Sequence, residues 1–183
     1  MKELSLNILD VTENSVKAGA SLVRIELTES EKDLTISITD DGVGMTEETR
    51  LSVVDPFYTT RTTRKVGLGI PFFKFAAEQT GGYIEIDSKH IDEFPETHGT
   101  CVRAYFRKDH IDFTPLGDVI STVTTLIQGH PDTDFLYRHT LGTEEVSLDT
   151  REIREVLEDV PLDSFDVLLW IKENLTEQYA RFQ

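Results

Sequence analysis

Residues 55–69 read DPFYTTRTTRKVGLG, a basic stretch that ends in a Gly-Leu-Gly turn. The 183-residue chain is otherwise acidic, since 18 Lys and Arg residues stand against 34 Asp and Glu residues and the formal net charge is −16. No carboxylate occurs between Asp55 and Glu78, although four basic residues do. Because backbone N–H groups at a glycine turn that enters a helix bind phosphate well, this stretch predicts an anion-binding site. A solvated basic loop is the alternative interpretation.

The composition limits the class of protein. A hydrophobic content of 38% and a charged content of 28% are typical of a soluble globular protein with a packed core. The single cysteine, Cys101, excludes an internal disulfide framework and a Cys-rich metal site, and its alternation with apolar residues predicts a buried strand thiol. No apolar run has membrane-spanning length, and the N-terminus lacks the apolar segment of a signal peptide. We therefore expect a cytoplasmic protein that does not bind a membrane.

The negative charge is unevenly distributed. Residues 1–109 contain 13 basic and 19 acidic residues, whereas residues 110–183 contain 5 basic and 15 acidic residues. Such a balance disfavours nucleic acid and anionic lipid as partners, because both would be repelled. A basic protein partner suits the second region better.

Apolar periodicity and turn residues predict the order of secondary structure elements. In the first region we expect a helix ending at Gly19, strands over 23–27 and 34–38, a short helix over 46–54, a helix over 68–80, and strands over 83–88 and 99–107. In the second we expect a helix over 116–128, a hairpin of strands 134–139 and 144–148, and helices near 150–158 and 164–179. This order predicts an α+β two-layer sandwich, with helices on one face of a mixed β-sheet. Residues 1–109 would form this domain, and residues 110–183 a small C-terminal α/β appendage of unknown role.

Four polar residues of the first helix are spaced to share one face: Asn7, Asp10, Asn14 and Lys17. Magnesium prefers hard oxygen ligands, and the amide oxygen of Asn14 supplies one without adding negative charge beside phosphates. Asp10, one turn earlier, is placed to orient or deprotonate a water or hydroxyl. Lys17, one turn later, is placed to contact phosphate oxygens. A solvated helix face is the alternative for the same spacing.

Asp40 ends a predicted strand and opens the sequence Asp-Asp-Gly-Val-Gly. A fixed carboxylate at a strand end can accept a hydrogen bond from an exocyclic amino group such as adenine N6, while glycines let a base approach the backbone. Gly67 and Gly69 would present N–H groups to phosphate at the start of the next helix. The alternative for the Asp-Asp-Gly sequence is an ordinary β-turn.

The motifs occur in a known order. LDVTENSVKAGA, DDGVGM, PFYTTR, GLGIPF and GTCVRAYF resemble the N, G1, F, G2 and final G-T boxes of the GHKL superfamily. That superfamily contains gyrase B, heat-shock chaperones, histidine kinases and mismatch-repair ATPases. The resemblance covers about residues 3–107, and five boxes in order are far more specific than any one of them. It implies the Bergerat-type ATP-binding fold of a histidine-kinase-like domain without a phospho-acceptor domain, with ATP and Mg2+ as cofactors.

The resemblance also implies residue roles. Asn14 matches the magnesium-binding asparagine and Asp40 the adenine-binding aspartate, while Thr100 matches a threonine that holds adenine through water. Asp10 occupies the place of the glutamate of hydrolytic members and anti-sigma kinases, which makes it the candidate catalytic base. Residues 55–66 would form a short ATP lid. The nucleotide-binding residues implied are Asn14, Lys17, Asp40, Gly42, Gly44, Thr59, Thr60, Lys65, Gly67, Leu68, Gly69 and Thr100.

Three functions fit these residues. The first is a kinase-like protein that transfers the γ-phosphate of ATP to a separate protein partner. None of the five histidines falls in an acceptor motif, and we expect them in loops or at the surface. The second is a weak ATPase whose lid and C-terminal region respond to nucleotide. The third is a non-catalytic ATP sensor. An enzyme is favoured over a sensor.

Overall fold

The computed structural model describes residues 3–55 and 68–182. The helices in this part of the chain are α1 (Leu4–Lys17), α2 (Glu47–Ser52), α3 (Gly69–Gln79), α4 (Val119–Gly129), α5 (Thr150–Leu157) and α6 (Phe165–Ala180). The strands are β1 (Leu22–Glu29), β2 (Asp33–Asp40), β3 (Tyr83–Lys89), β4 (Gly99–Arg107), β5 (Asp134–Leu141) and β6 (Glu144–Asp149). The predicted order is confirmed, and the element bounds differ from the prediction by about three residues at most.

The strands form one mixed sheet in the order β3-β4-β2-β1-β5-β6. All neighbouring strands are antiparallel except β1 and β5, which pair in parallel from Leu22 opposite Asp134 to Glu29 opposite Leu141. The hairpin of β5 and β6 therefore extends the sheet that the preceding strands form. The sheet continues across the predicted boundary between residues 109 and 110, and the division into two domains stays a prediction.

One face of the sheet carries the core. Alternate residues of β1 are buried, such as Ile25 and Leu27, and their neighbours Arg24 and Thr28 are exposed on the other face. The same period of two holds in β2, β4 and β5, so the buried side chains form one apolar surface. Helices α1, α3 and α4 pack against the sheet, and α6 packs against α4 and β6. No helix in residues 3–55 or 68–182 is long and apolar enough to span a bilayer.

The predicted environments of Asn7 and Cys101 were wrong. Asn7, assigned to the polar face of α1, is buried, because α4 packs across the first turns of this helix through Thr122, whose hydroxyl donates to the Ser5 carbonyl at 3.3 Å. Cys101 lies in a strand as predicted, but it is half-buried on the face opposite the core. The reason is the strand period, which turns Val102 inward and its neighbour outward.

A hydrogen-bonded chain fastens α6 to the sheet. His139, expected at the surface, is only 2% exposed, and its Nε2 lies 3.0 Å from the Glu29 carboxylate, which also pairs with Lys108 at 2.5 Å. A carboxylate of this kind accepts only, so Nε2–H donates and the neutral ring accepts at Nδ1 from the Tyr179 hydroxyl at 2.7 Å. The Tyr137 hydroxyl then donates to the Tyr179 oxygen at 2.6 Å.

Burial sets the protonation of these groups. It lowers the pKa of His139, and this effect outweighs the opposing influence of the Glu29 carboxylate. Burial likewise raises the pKa of Tyr179 to about 12. At neutral pH this series of hydrogen-bonded side chains therefore consists of a neutral imidazole and neutral phenols beside the Glu29 carboxylate, which are the species that the hydrogen bonds require.

Candidate functional site

A pocket of about 210 Å³ lies between α1, the end of β2, β4 and the first turn of α3. Its polar lining comes from Asn14, Ser15, Asp40 and Thr100, and apolar side chains such as Val11, Ile70 and Val102 form the walls. The sequence motifs that carry these residues lie far apart along the chain, and the fold brings them together. Apolar walls with a few convergent polar groups are the usual construction of a small-molecule site.

Asp40 is held in one orientation by three hydrogen bonds. Its Oδ1 accepts from the backbone N–H of Gly42 at 2.9 Å and from that of Thr100 at 3.3 Å. Its Oδ2 accepts from the Ser15 hydroxyl at 2.6 Å. A carboxylate offers about four lone-pair positions, so the hydrogen bonds from described residues leave one acceptor position, on Oδ2. The half-buried side chain lines the pocket, where that position can meet a ligand.

Asp41 has a structural role, although it follows Asp40 directly in the sequence. Its Oδ1 accepts from the backbone N–H groups of Ser21 at 2.7 Å and Leu22 at 3.0 Å, and its Oδ2 accepts from the Ser21 hydroxyl. Partial burial would raise the pKa of the Asp41 carboxyl, but these hydrogen bonds more than offset that effect and the pKa is lowered. Asp41 thus secures the start of β1 and does not line the pocket.

Gly44 shapes the turn that closes the site. It has a positive φ of 72°, and an added Cβ would lie 1.9 Å from the carbonyl oxygen of Lys89. Only glycine fits both the conformation and the close approach. The same turn is tied to its surroundings by Val43, whose N–H donates to the Ala18 carbonyl at 3.0 Å, and by His98, whose Nδ1 lies 2.5 Å from the Gly42 carbonyl oxygen.

Sequence reasoning missed Ser15 and Ser88. The Ser15 hydroxyl orients Asp40, and the Ser88 hydroxyl lies 2.8 Å from that of Thr100 while accepting from the Met45 N–H at 2.7 Å. Ser15 is adjacent to Asn14, but no spacing rule connects it with a strand end 25 residues later. Its burial on α1 is the signal, and burial of a lone serine is not visible in a single sequence.

Of the polar residues of α1 that were predicted to form the site, only Asn14 lines the pocket. Its side chain forms no hydrogen bond to another residue within 3–55 or 68–182. Asp10 and Lys17 are exposed and do not line the pocket. The pKa of Asp10 is raised, because partial desolvation of its carboxyl outweighs the attraction of Lys17, and the negative charge of Glu13 raises it slightly further.

The start of α3 packs against α1. An added Cβ on Gly69 would lie 3.0 Å from Asp10 Cβ, so the two helices touch where the Gly-Leu-Gly sequence ends. Leu68 precedes the helix and is exposed. The predicted nucleotide-binding residues Thr59, Thr60, Lys65 and Gly67, with residues 56–66 of the predicted lid, lie outside the described residues.

A family profile described as histidine kinase-, DNA gyrase B-, and HSP90-like ATPase matches residues 2–110. The chain belongs to this ATPase family. It therefore contains a GHKL-type ATP-binding domain, and the α+β fold with its open mixed sheet agrees with that assignment.

Individual relatives of this ATPase domain were found by sequence and by structure. The chain is 32% identical over 85 residues to the nitrogen regulation protein NtrY of Azorhizobium caulinodans, covering 46% of this chain and 10% of the relative. It is 31% identical over 94 residues to the sensor protein KdpD of Clostridium acetobutylicum, covering 49% of this chain and 10% of the relative. The chain thus spans about a tenth of the length of these curated relatives.

The fold is similar to the Aquifex aeolicus MutL ATPase domain complexed with ADP. The TM-score is 0.54 at 13% identity, and the superposition covers 86% of this chain and 70% of that one. At this identity the likeness concerns the fold alone.

The pocket of the ATPase domain fits a magnesium nucleotide in its donor chemistry. Among the described residues no group of three or more His, Cys, Asp and Glu side chains is arranged to hold a metal ion. Magnesium often takes only one or two protein ligands and completes its shell with phosphates and water. The carboxamide oxygen of Asn14, which no described residue engages, is a donor of the kind that such a shell uses.

A larger cavity of about 670 Å³ lies elsewhere, beside α5 and α6. The residues of the sequence motifs converge on the smaller pocket and not on this cavity. Its volume is below the roughly 300–1,000 Å³ of complete ligand sites, so the described residues enclose space for only a part of a ligand of nucleotide size.

Proposed function

We propose that the protein binds Mg-ATP in the pocket below Asp40 and transfers the γ-phosphate to a separate protein partner. The observation that carries this proposal is the fixed Asp40 carboxylate with one unused acceptor position on Oδ2. Adenine presents an amino group that donates to such a position, whereas guanine presents a carbonyl oxygen there. Apolar walls on either side suit the faces of a planar base.

The remaining site residues are assigned around the base. Asn14 ligates Mg2+, Lys17 neutralises phosphate oxygens, and Thr100 holds the base through water, with Ser88 supporting its hydroxyl. Gly42 and Gly44 let the base approach the backbone. The phosphate contacts are assigned to Leu68 and Gly69, together with Thr59, Thr60, Lys65 and Gly67.

Support for phosphate transfer comes from the relatives and the charge. The family description includes histidine kinases, and the two curated relatives are a nitrogen regulation protein and a sensor protein. The acidic second half of this chain favours a basic protein partner over nucleic acid or an anionic membrane. We place the protein in the cytoplasm.

A weak ATPase is the second candidate, favoured by Asp10. Its raised pKa and its contact with the first residue of α3 put a carboxylate of increased basicity beside the expected phosphate position. A base of this kind accepts a proton from an attacking water. In a kinase the same carboxylate would accept the proton of the acceptor side chain.

Incubation with γ-labelled Mg-ATP, alone and with cell extract, separates these functions. Free phosphate, label on the protein and label on extract proteins are followed together for wild type, Asp10→Asn, Asp40→Asn and the control Asp41→Asn. If label appears on an extract protein, and Asp40→Asn abolishes this labelling while Asp41→Asn does not, the kinase function is supported. Free phosphate alone supports the ATPase, and Asp10→Asn should then abolish it. Nucleotide binding without either product identifies a sensor and rejects both enzymatic functions.

A further inference from the structure

A second concave surface lies on the side of the molecule opposite β3. We call it the α5–α6 groove, and it consists of a cavity of about 670 Å³ and an adjoining one of about 400 Å³. Ile153, Leu157 and Trp170 line both cavities, so the two form one continuous depression. The floor of the larger part is formed by β5 and β6, which are separated from β4 by two strands. The groove is thus distinct from the nucleotide pocket.

Large apolar side chains around the groove are exposed to solvent. Val156 is 82% exposed, Phe165 78% and Trp170 50%, and Val160 and Leu169 are also exposed. All five lie within residues 156–170, and three of them, Val156, Val160 and Trp170, line the groove itself. Contiguous apolar patches of this kind on soluble proteins usually mark an interaction surface.

The segment that forms this apolar surface is rich in carboxylates without an ion pair to another described residue. Residues 150–182 contain eight exposed Asp and Glu residues, and none of them forms an ion pair within 4 Å with another residue in the described ranges. Two of the eight, Glu152 and Asp166, line the groove itself. The two arginines that line the groove are engaged, since Arg151 pairs with Asp149 at 2.6 Å and Arg138 pairs with two glutamates at 3.5 Å. On α5, Arg154 pairs with Asp134 at 2.7 Å. Lys172, on α6, forms no ion pair with another described residue.

We propose that the α5–α6 groove docks a basic amphipathic helix of a partner protein. An apolar groove between two helices accepts the apolar face of a third helix, with anchors at i, i+3, i+4 and i+7. The unpaired carboxylates require Lys or Arg beside those anchors, so the charge selects the occupant. A second copy of this chain is a poor occupant, because each copy carries a net charge of −16 and would present the same acidic rim.

Trp170 reports on the groove directly, because it is the one tryptophan of the chain. The probe is a synthetic amphipathic peptide of about 18 residues, with Leu at i, i+3, i+4 and i+7 and Lys elsewhere. Titration into the full chain should shift the Trp170 emission to shorter wavelength and saturate. Two further peptides serve as controls, one of the same composition in scrambled order and one with Glu in place of Lys.

Matched variants separate docking from general attraction to an acidic protein. Val156→Asp should weaken peptide binding by about tenfold or more, whereas Ile111→Asp, a change of the same kind at a residue 95% exposed before α4, should not. The double variant Glu152→Gln and Asp166→Gln should weaken binding and reduce its salt dependence. Glu93→Gln with Glu96→Gln, in the loop between β3 and β4, removes the same charge elsewhere and should have little effect.

Each result decides for or against the proposed occupant. Loss of binding in the groove variants alone supports it, and retention of binding in Asp40→Asn shows that the groove works independently of the nucleotide pocket. Equal binding by Val156→Asp and Ile111→Asp, equal binding of the scrambled peptide, or no shift of Trp170 emission overturns it. If sedimentation of the protein alone shows a dimer that Val156→Asp dissociates, the occupant of the groove is a second copy of this chain, and the proposed partner helix is wrong.

Discussion

The substitution Asp40→Asn tests the adenine assignment with little disturbance of the fold. Two backbone N–H groups donate to Oδ1, so the amide oxygen of the asparagine must occupy that position. The amide NH2 then replaces Oδ2 and can donate to the Ser15 oxygen, which accepts as readily as it donates. All three local hydrogen bonds are kept in neutral form, and the expected loss of stability is about 1 kcal/mol.

The effect on nucleotide binding should be much larger. The unused acceptor position belongs to Oδ2, and the substitution places a donor there, so the adenine amino group meets a second donor. Losing one hydrogen bond to a charged group costs about 1.5–3 kcal/mol, which corresponds to roughly 10-fold to 150-fold weaker ATP binding. Guanine, which presents an acceptor at this position, should lose less, so the preference for ATP over GTP should narrow.

Asp41→Asn is a closely matched control. Asp41 also receives two backbone N–H groups on Oδ1 and one serine hydroxyl on Oδ2, but it does not line the pocket. Calorimetric titration of both variants with Mg-ATP and Mg-GTP, with thermal unfolding as the check on folding, gives the comparison. Unchanged ATP affinity in Asp40→Asn, or an equal loss in Asp41→Asn, would refute the assignment of the base to Asp40.

Three further changes test the site and the fold. Asn14→Ala should leave stability unchanged, because no described residue forms a hydrogen bond with the Asn14 side chain. The same substitution should remove the Mg2+ dependence of ATP affinity. An unaltered Mg2+ titration would exclude Asn14 as a ligand. Gly44→Ala should lower the free energy of unfolding, measured in urea, by more than Gly142→Ala does. Gly142 has a similar φ but open space around it, so its substitution costs only the strain of the left-handed conformation, about 1–2 kcal/mol. The pKa of His139 is lower in the folded state than in the unfolded state. As the pH decreases below about 6.5, the unfolded chain therefore takes up the proton first, and the free energy of unfolding decreases. His139→Gln should flatten that decline between about pH 7 and pH 5 and the exposed His110→Gln should not; parallel profiles for wild type and His139→Gln would contradict the network.

Much of the candidate site could be predicted because its residue types follow from their chemistry. Asp40 ends a strand before a glycine turn, and Asn14 lies on a helix with a carboxylate one turn before it, so both could be assigned from local spacing. Ser15 could not, because its role exists only where α1 lies beside the end of β2. The function of Asp41 was equally unpredictable, since its hydrogen-bond donors, Ser21 and Leu22, lie about 20 residues earlier in the chain.

The amino-acid sequence by itself determined the helices and strands, the two-residue alternation within the strands, and the motif residues that line the candidate pocket. Local periodicity suffices for these features, because the 3.6-residue and 2-residue repeats are properties of a single segment. Only the tertiary structure decided that β5 pairs in parallel with β1, that Asn7 and His139 are buried, and that α5 and α6 leave an apolar groove. Each of these depends on which distant segment packs against which, and that choice is made by the free energy of the whole core rather than by any one segment.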